Sequence, residues 1–226
     1  MEHGATIRRS IASARVGFAT LAIVAIVAQF TRSFDDPFLG ASNFPFLFTY
    51  QSNVIAALIL LAGARRLVTG QVDTLRWDLM RGAVVTWMAT TGIVHAVLPT
   101  SANDTGIVYN YPWATDVLHI VMPLVLLADW LLVPPRHRLA FGHALLWTAY
   151  PLVFAGFSLL RGPFVDWYPY PFLDPRDNSW AVVGAYVVGI AVGFLLFSWL
   201  VVTIGNFARQ WWASRSLAIP AHDHIA

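Results

Sequence analysis

The residues of this sequence that can do chemistry stand beside long apolar segments. Thr49 lies in the polar stretch LFTYQSN, residues 47–53, directly before an apolar run, and Asp116 precedes His119 by three residues. That spacing places Asp116 and His119 on one face of a helix. A threonine hydroxyl can act as a nucleophile, His95 or His119 as its base, and Asp116 as the carboxylate that orients the base. These residue types suit acyl transfer by an activated hydroxyl, although their spacing alone leaves the chemistry open.

Other polar residues can support such a reaction. Arg161, or the side-chain amides of Asn53 and Gln51, can stabilise the oxyanion of an acyl-transfer intermediate. Structural roles are the alternatives. Threonine is a common helix N-cap, so Thr49 can simply cap the helix that follows it. Arg161 can serve only as an anchor at the membrane interface.

The elements that must position these residues are membrane helices. Hydrophobic residues make up 58% of the 226 residues and charged residues only 12%, which is typical of a polytopic membrane protein. Six apolar runs approach the roughly 20 residues that cross a bilayer as a helix. We therefore predict an all-α, single-domain bundle of six transmembrane helices over residues 1–226. The runs cover about 9–31, 46–64, 79–98, 115–133, 139–160 and 179–205.

The first run has a competing interpretation as a signal peptide, because Arg8, Arg9 and Arg15 precede its apolar part. It is long for a cleaved signal and no clear small-x-small site follows it, so we predict that it is retained as a helix. Asp129, toward the other end of the fourth run from His119, is predicted to pair with a nearby arginine or to be partly solvated.

Arginine predicts the orientation of the bundle. The chain has no lysine, and its 14 basic residues are all arginines. Most fall on one side of the predicted topology, so the positive-inside rule places both termini in the cytoplasm. The sequence pI of about 9.2 therefore reflects membrane orientation and not a nucleic-acid partner. The arginines on the other side are Arg32, Arg161 and Arg176.

This topology brings the reactive residues to one depth. The second helix enters from outside with Thr49, the third ends there with His95, and the fourth begins there. At 1.5 Å per residue, Asp116 and His119 lie roughly 6 to 9 Å from the outer interface. Arg161 ends the fifth helix on the same side. Ionisable groups inside a bilayer generally face a bundle interior or a wet cavity, so we predict a shared site in the outer part of the bundle.

Three stretches of the sequence carry a resemblance to known proteins. They are LFTYQSN at 47–53, DVLHIVMPLVLLADW at 116–130 and YPLVFAGFSLLRGPFVDWYPYPFLD at 150–174. These stretches resemble the androgen-induced gene family of multi-pass membrane proteins, and the resemblance covers most of the chain in helix order. Its most specific marks are YPFLD at residues 170–174 and the spacing of His119, Pro123 and Asp129.

The resemblance implies a function. Animal members are associated with hydrolysis of fatty acid esters of hydroxy fatty acids by a membrane-embedded threonine and histidine. By that resemblance Thr49 is the nucleophile, His119 is the base, and the chain is a bacterial member in the inner or plasma membrane. Asp116 and the residues that follow Thr49 depart from the animal pattern, so a Thr-His-Asp triad is an inference from spacing alone.

Two other functions fit the same residues. His95 and His119 can ligate one haem axially for electron transfer. Prolines within the helices, such as Pro123 and Pro151, suit a small-molecule transporter or a ligand-binding membrane protein without chemistry. The hydrolase needs no cofactor and no metal, and the absence of cysteine removes thiolate ligands. Its expected partners are a lipid or acyl-ester substrate and membrane lipids.

Overall fold

The regular secondary structure of the protein is helical. The computed structural model describes residues 2–97 and 111–217. Short segments Gly40–Asn43, Phe44–Phe46 and Pro171–Leu173 stand between the long helices. The all-α prediction is confirmed for the described residues. The six long helices are α1 Glu2–Ser33, α2 Phe48–Thr69, α3 Leu75–Val97, α4 Pro112–Leu132, α5 Phe141–Val165 and α6 Trp180–Leu217.

Each of the six predicted apolar runs falls on one of these helices. Helix α1 begins earlier than predicted and helix α6 ends later, because both continue beyond their apolar parts into arginine-bearing turns. The third predicted run reaches residue 98, which lies outside the described residues. Five of the helices are long and apolar enough to cross a membrane, which indicates an integral membrane protein.

Helix α3 is the long helix that falls below this apolar standard. About half of its 23 residues are buried, including Asp78, Arg81 and Thr86. It packs against α2, α4 and α6, so much of its surface faces protein. A helix shielded in this way can carry polar side chains that would be costly against lipid. Its central place in the bundle therefore explains its lower hydropathy.

Helices α1 and α2 approach each other closely along small residues. Ala19, Ala22 and Ala25 of α1 are fully buried, and Ala56 and Ala57 of α2 are buried in the same core. Small side chains at such contacts let helix backbones approach closely, which is the usual way that membrane helices pack. Helix α1 is thus an integral layer of the bundle.

A buried ion cluster joins α1, α3 and α4 at the end of the bundle away from Thr49. Arg15 Nε lies 2.6 Å from Asp129 Oδ1, and Arg81 Nη2 lies 2.9 Å from Asp129 Oδ2. Arg81 Nη2 also donates to the carbonyl of Val133. The prediction that Asp129 pairs with an arginine is confirmed, although with two arginines.

Removing the shared carboxylate should be strongly destabilising. We expect Asp129→Ala to lower the free energy of unfolding by about 3 to 5 kcal/mol, because it leaves two buried guanidinium groups without their anion. The measurement is reversible unfolding in mixed micelles. The matched control is Asp35→Ala, since Asp35 pairs with Arg32 at 3.7 Å on the exposed surface and should cost less than about 1 kcal/mol. Equal losses for the two variants would contradict the structural role of the cluster.

Candidate functional site

Thr49 lies in the first turn of α2 with its hydroxyl directed at α4. The helix begins at Phe48, and its N-cap is Leu47, whose side chain makes no capping bond. Thr49 is therefore already inside the helix, and its Oγ1 lies 3.2 Å from Nε2 of His119. The interpretation of Thr49 as the N-cap is wrong. The half-buried hydroxyl forms a hydrogen bond across two helices.

The second ring nitrogen of His119 determines its tautomer. Nδ1 lies 3.0 Å from the backbone carbonyl oxygen of Thr115. A carbonyl oxygen only accepts, so Nδ1 carries the proton and the neutral ring leaves Nε2 as an acceptor for the Thr49 hydroxyl. This is the tautomer that a general base requires. Thr115 is held in turn, because the amide of Gln29 on α1 donates to its Oγ1 at 3.0 Å.

The His119 ring is carried by an irregular turn of α4. Residues Val117–Val121 form a π-helical turn between the α-helical parts Pro112–Asp116 and Met122–Leu132. The Met122 N–H donates to the carbonyl of Val117, five residues back instead of four. The next residue, Pro123, has no N–H to donate. Such π turns inside α-helices are frequent at functional sites.

A cavity of about 400 Å³ opens beside the Thr49 and His119 pair. Its volume lies within the range of small-molecule sites, roughly 300 to 1,000 Å³. Helices α2 to α6 all contribute to its wall, which is mainly aliphatic and aromatic. The polar side chains on the wall, besides Thr49 and His119, are Thr90, Thr91, His95, Thr148, Tyr50, Tyr170, Tyr186 and Asn178. A hydroxyl and imidazole pair in an apolar wall suits a largely hydrocarbon ligand.

Among the predicted supporting residues, His95 lies at the site. It lines the cavity, and its ring stacks on that of His119 with the centroids 4.2 Å apart and the planes inclined by 28°. Asp116 is exposed. The carbonyl of Thr115, and not the carboxylate of Asp116, orients His119, because Nδ1 is turned onto the backbone of its own helix.

Asn53 and Arg161, which were predicted as oxyanion donors, form hydrogen bonds with other groups of the protein. The Nδ2 of Asn53 donates to the carbonyls of Thr49 and Leu118, at 2.9 and 3.2 Å, so both of its hydrogens are used. Arg161 donates to Asn43 Oδ1 at 2.7 Å, with its guanidinium 4.0 Å from the ring centre of Phe46, and it does not line the cavity. These contacts favour the interfacial-anchor interpretation of Arg161.

Sequence reasoning missed the roof of the cavity, which is residues 169–173 of the loop between α5 and α6. The backbone N–H of Phe48 donates to the hydroxyl of Tyr170 at 3.2 Å, so the roof is hydrogen-bonded to the first residue of α2. Asn178 Nδ2 donates to the carbonyl of Pro171 at 2.8 Å. The motif YPFLD at 170–174 was the signal in the sequence, although nothing in it indicated a contact with Thr49's helix.

The arrangement of the histidines does not fit axial ligation of one haem. Axial imidazoles lie on opposite faces of the porphyrin and point their nitrogens at the iron between them. Here the rings of His95 and His119 stack face to face at 4.2 Å, which leaves no room for a macrocycle. The Nε2 of His119 is also directed at Thr49. Within residues 2–97 and 111–217, no group of three His, Cys, Asp or Glu residues is placed to hold a metal ion.

The stability of the protein should depend on the close packing of α3 against the π turn of α4. A Cβ added at Gly92 would lie 3.0 Å from the carbonyl oxygen of His119 and 3.2 Å from Pro123 Cβ. We expect Gly92→Ala to lower the free energy of unfolding by about 1 to 3 kcal/mol, because rigid backbone must shift. Gly156→Ala is the control, since an added Cβ there meets nothing within 4 Å. This substitution should raise the free energy of unfolding by up to about 1 kcal/mol, because alanine favours a helix over glycine. Similar effects at the two glycines would contradict the close approach.

The loop segment directly after the roof should lose stability in acid. Arg176 donates to both oxygens of Asp174, at 2.9 and 2.5 Å, and these hydrogen bonds lower the pKa of Asp174. A carboxylate with a lowered pKa stabilises the folded state above its unfolded pKa of about 4, and that stability is lost as the pH falls through the folded value. Wild type should therefore exceed Asp174→Asn in thermal stability at pH 7, and the difference should shrink below about pH 4. The matched variant is Asp177→Asn, which removes an exposed carboxylate of the same loop. A wild-type advantage over Asp174→Asn that stays constant with pH would exclude this ion pair as its source.

Comparisons with known proteins leave the site to be interpreted from its own geometry. No protein-family model, no curated protein and no solved structure matches the chain.

Proposed function

We propose that this chain is a membrane-embedded ester hydrolase, with Thr49 as nucleophile and His119 as general base, that cleaves long-chain fatty acyl esters. One observation carries the proposal: the 3.2 Å hydrogen bond between the Thr49 hydroxyl and a His119 ring nitrogen that its other hydrogen bond leaves unprotonated. The apolar wall of the adjoining cavity supports an acyl substrate. Fatty acid esters of hydroxy fatty acids are the class that the family resemblance suggests.

In the acylation step, His119 Nε2 takes the proton of the Thr49 hydroxyl as Oγ1 attacks the ester carbonyl carbon. The carbonyl π electrons move to oxygen and form a tetrahedral oxyanion. When the oxyanion collapses, the bond to the leaving alcohol breaks, and His119 gives its proton to that alcohol. An acyl ester of Thr49 remains. The proton on Nδ1 stays there throughout, donated to the Thr115 carbonyl, which keeps the ring in place.

In the deacylation step, water takes the place of the alcohol. His119 removes a proton from the water as its oxygen attacks the acyl carbon, and the second tetrahedral intermediate expels Thr49 Oγ1. The proton on Nε2 returns to that oxygen, so the fatty acid leaves and the hydroxyl and imidazole pair is restored. Both steps use the same base, Nε2 of His119.

The oxyanion would form near the N-terminal end of α2, because Thr49 stands in its first turn. Amide hydrogens and the positive dipole end of a helix favour negative charge there. Of the supporting side chains predicted from the sequence, His95 lines the cavity and is the candidate for a further oxyanion donor. Removing one oxyanion donor typically costs about 2.7 to 4 kcal/mol of transition-state stabilisation.

The membrane arrangement is part of the same proposal. All six long helices would cross the bilayer, with both termini in the cytoplasm and with α3 shielded by its neighbours. The distribution of arginines supports this orientation, which places Thr49 and His119 in the outer part of a bacterial inner or plasma membrane. Membership of the androgen-induced gene family is likewise proposed, on the three stretches that resemble it.

The direct test is hydrolysis of a long-chain p-nitrophenyl acyl ester by purified protein in micelles. We expect Thr49→Ala to abolish hydrolysis, and His119→Ala to lower kcat by roughly 10² to 10⁴, the usual contribution of a general base. Thr49→Ser should retain activity. Thr69→Ala is the matched control, because Thr69 lies at the other end of α2 and its hydroxyl donates to carbonyls of its own helix, those of Arg65 and Arg66.

The outcome separates the proposal from its rival. Wild-type hydrolysis by a folded Thr49→Ala variant would overturn the assignment of the nucleophile. Saturable binding of the ester without turnover by wild type would favour the alternative of a transporter or a ligand-binding membrane protein.

A further inference from the structure

We propose that Asn53 is a positioning residue that holds the hydroxyl of Thr49 against His119. Its amide group joins the backbone of α2, at the nucleophile, to the backbone of the π turn, at the residue before the base. The geometric part of this inference stands by itself. Its consequence for the reaction rate rests on the proposed hydrolase function.

The amide of Asn53 lies between the two helices. Nδ2 donates to the carbonyl oxygen of Thr49 at 2.9 Å and to that of Leu118 at 3.2 Å. The first carbonyl belongs to Thr49 itself, and the second belongs to Leu118, the residue directly before His119. If the backbone at Thr49 or at Leu118 moved relative to the Asn53 amide, the 3.2 Å distance between Thr49 Oγ1 and His119 Nε2 would therefore change.

The π turn explains why α4 needs a donor from another helix. In an α-helix the Leu118 carbonyl would accept from the Met122 N–H, but that N–H donates to Val117. In a continued π register it would accept from residue 123, which is a proline without an N–H. Buried backbone carbonyls are nearly always paired. Asn53 donates to the carbonyl that the irregular turn deprives of its helical donors.

The burial of Asn53 supports a role for its donor group. The side chain is fully buried, and its Oδ1 has no hydrogen-bond partner among the described residues. Burying an unpaired amide oxygen costs free energy, so an apolar side chain of the same shape would suit mere packing better. The two hydrogen bonds of Nδ2 are the interactions that an apolar residue cannot replace.

Ser52 provides a matched comparison within the same turn. Its Oγ donates to the Thr49 carbonyl at 3.1 Å. Its only described hydrogen bond is therefore to α2 itself, and it makes no bridge to α4. Ser52→Ala removes one hydrogen bond from the same carbonyl that Asn53 contacts, without breaking the link between the helices.

The test reads the hydrogen bond at His119 directly. Protein with ¹⁵N-labelled histidine is compared in micelles as wild type, Asn53→Leu, Ser52→Ala and Thr49→Val, the last of which lacks the hydroxyl. The Nε2 chemical shift of Asn53→Leu should move toward that of Thr49→Val, while Ser52→Ala should keep the wild-type shift. A wild-type shift in folded Asn53→Leu would overturn the inference. If Asn53→Leu does not fold, Asn53→Gln keeps an amide displaced by one methylene and should shift Nε2 partway, whereas an unchanged shift would overturn the inference.

The rate of labelling by a long-chain fluorophosphonate tests the consequence for reactivity. Asn53→Leu should lower the maximal labelling rate by about tenfold to a hundredfold, as expected for a small displacement of reacting groups. The half-saturating probe concentration should stay unchanged. Labelling at the wild-type rate would overturn this consequence. Failure of wild type to react would instead reject the proposed hydrolase function, and the Nε2 shift would still decide the role of Asn53.

Discussion

A bilayer offers no hydrogen bonds to a peptide carbonyl, and the arrangement around His119 depends on that constraint. The π turn of α4 and the proline that follows it interrupt the regular ladder of backbone hydrogen bonds. The Leu118 carbonyl loses its helical donors there, and Asn53 of α2 donates to it instead. The His119 ring, carried by the same turn, donates to the carbonyl of Thr115, and Gly92 lets α3 approach the turn closely. The turn and its neighbours together therefore fix both the tautomer of the base and its distance from Thr49.

The rest of the bundle keeps this turn in place. The opposite end is fixed by charge, where Asp129 joins three helices through Arg15 and Arg81. Asp78 adds a second buried link there, since it accepts from His137 Nδ1 at 2.8 Å. The end that carries Thr49 has no comparable buried ion pair among the described residues of its cavity wall. Instead, hydroxyl and imidazole groups stand in an apolar wall, which is an arrangement suited to chemistry on a hydrocarbon-bearing ester.

The sequence was sufficient for the helices and for part of the site. Long apolar runs predict membrane helices because the length needed to cross a bilayer is fixed. Thr49, His95 and His119 could be placed together from the sequence, because each stands near the same end of its helix. Asp116 and Arg161 could not be placed in the same way, since equal depth says nothing about which face of a helix points inward. Side-chain patterns also carry no signal for a π turn, so the Thr115 carbonyl and the bridge made by Asn53 became visible only in the structure.

The central claim is that the Thr49 hydroxyl is the activated nucleophile of this cavity. Its most direct test is to treat the folded wild-type protein with a long-chain fluorophosphonate and to locate the adduct by peptide mass spectrometry. We expect a covalent phosphonate on Thr49, in the peptide that contains LFTYQSN, and no such adduct in His119→Ala under the same conditions. An adduct on a different residue, or an unmodified Thr49 in protein shown to be folded, would contradict it.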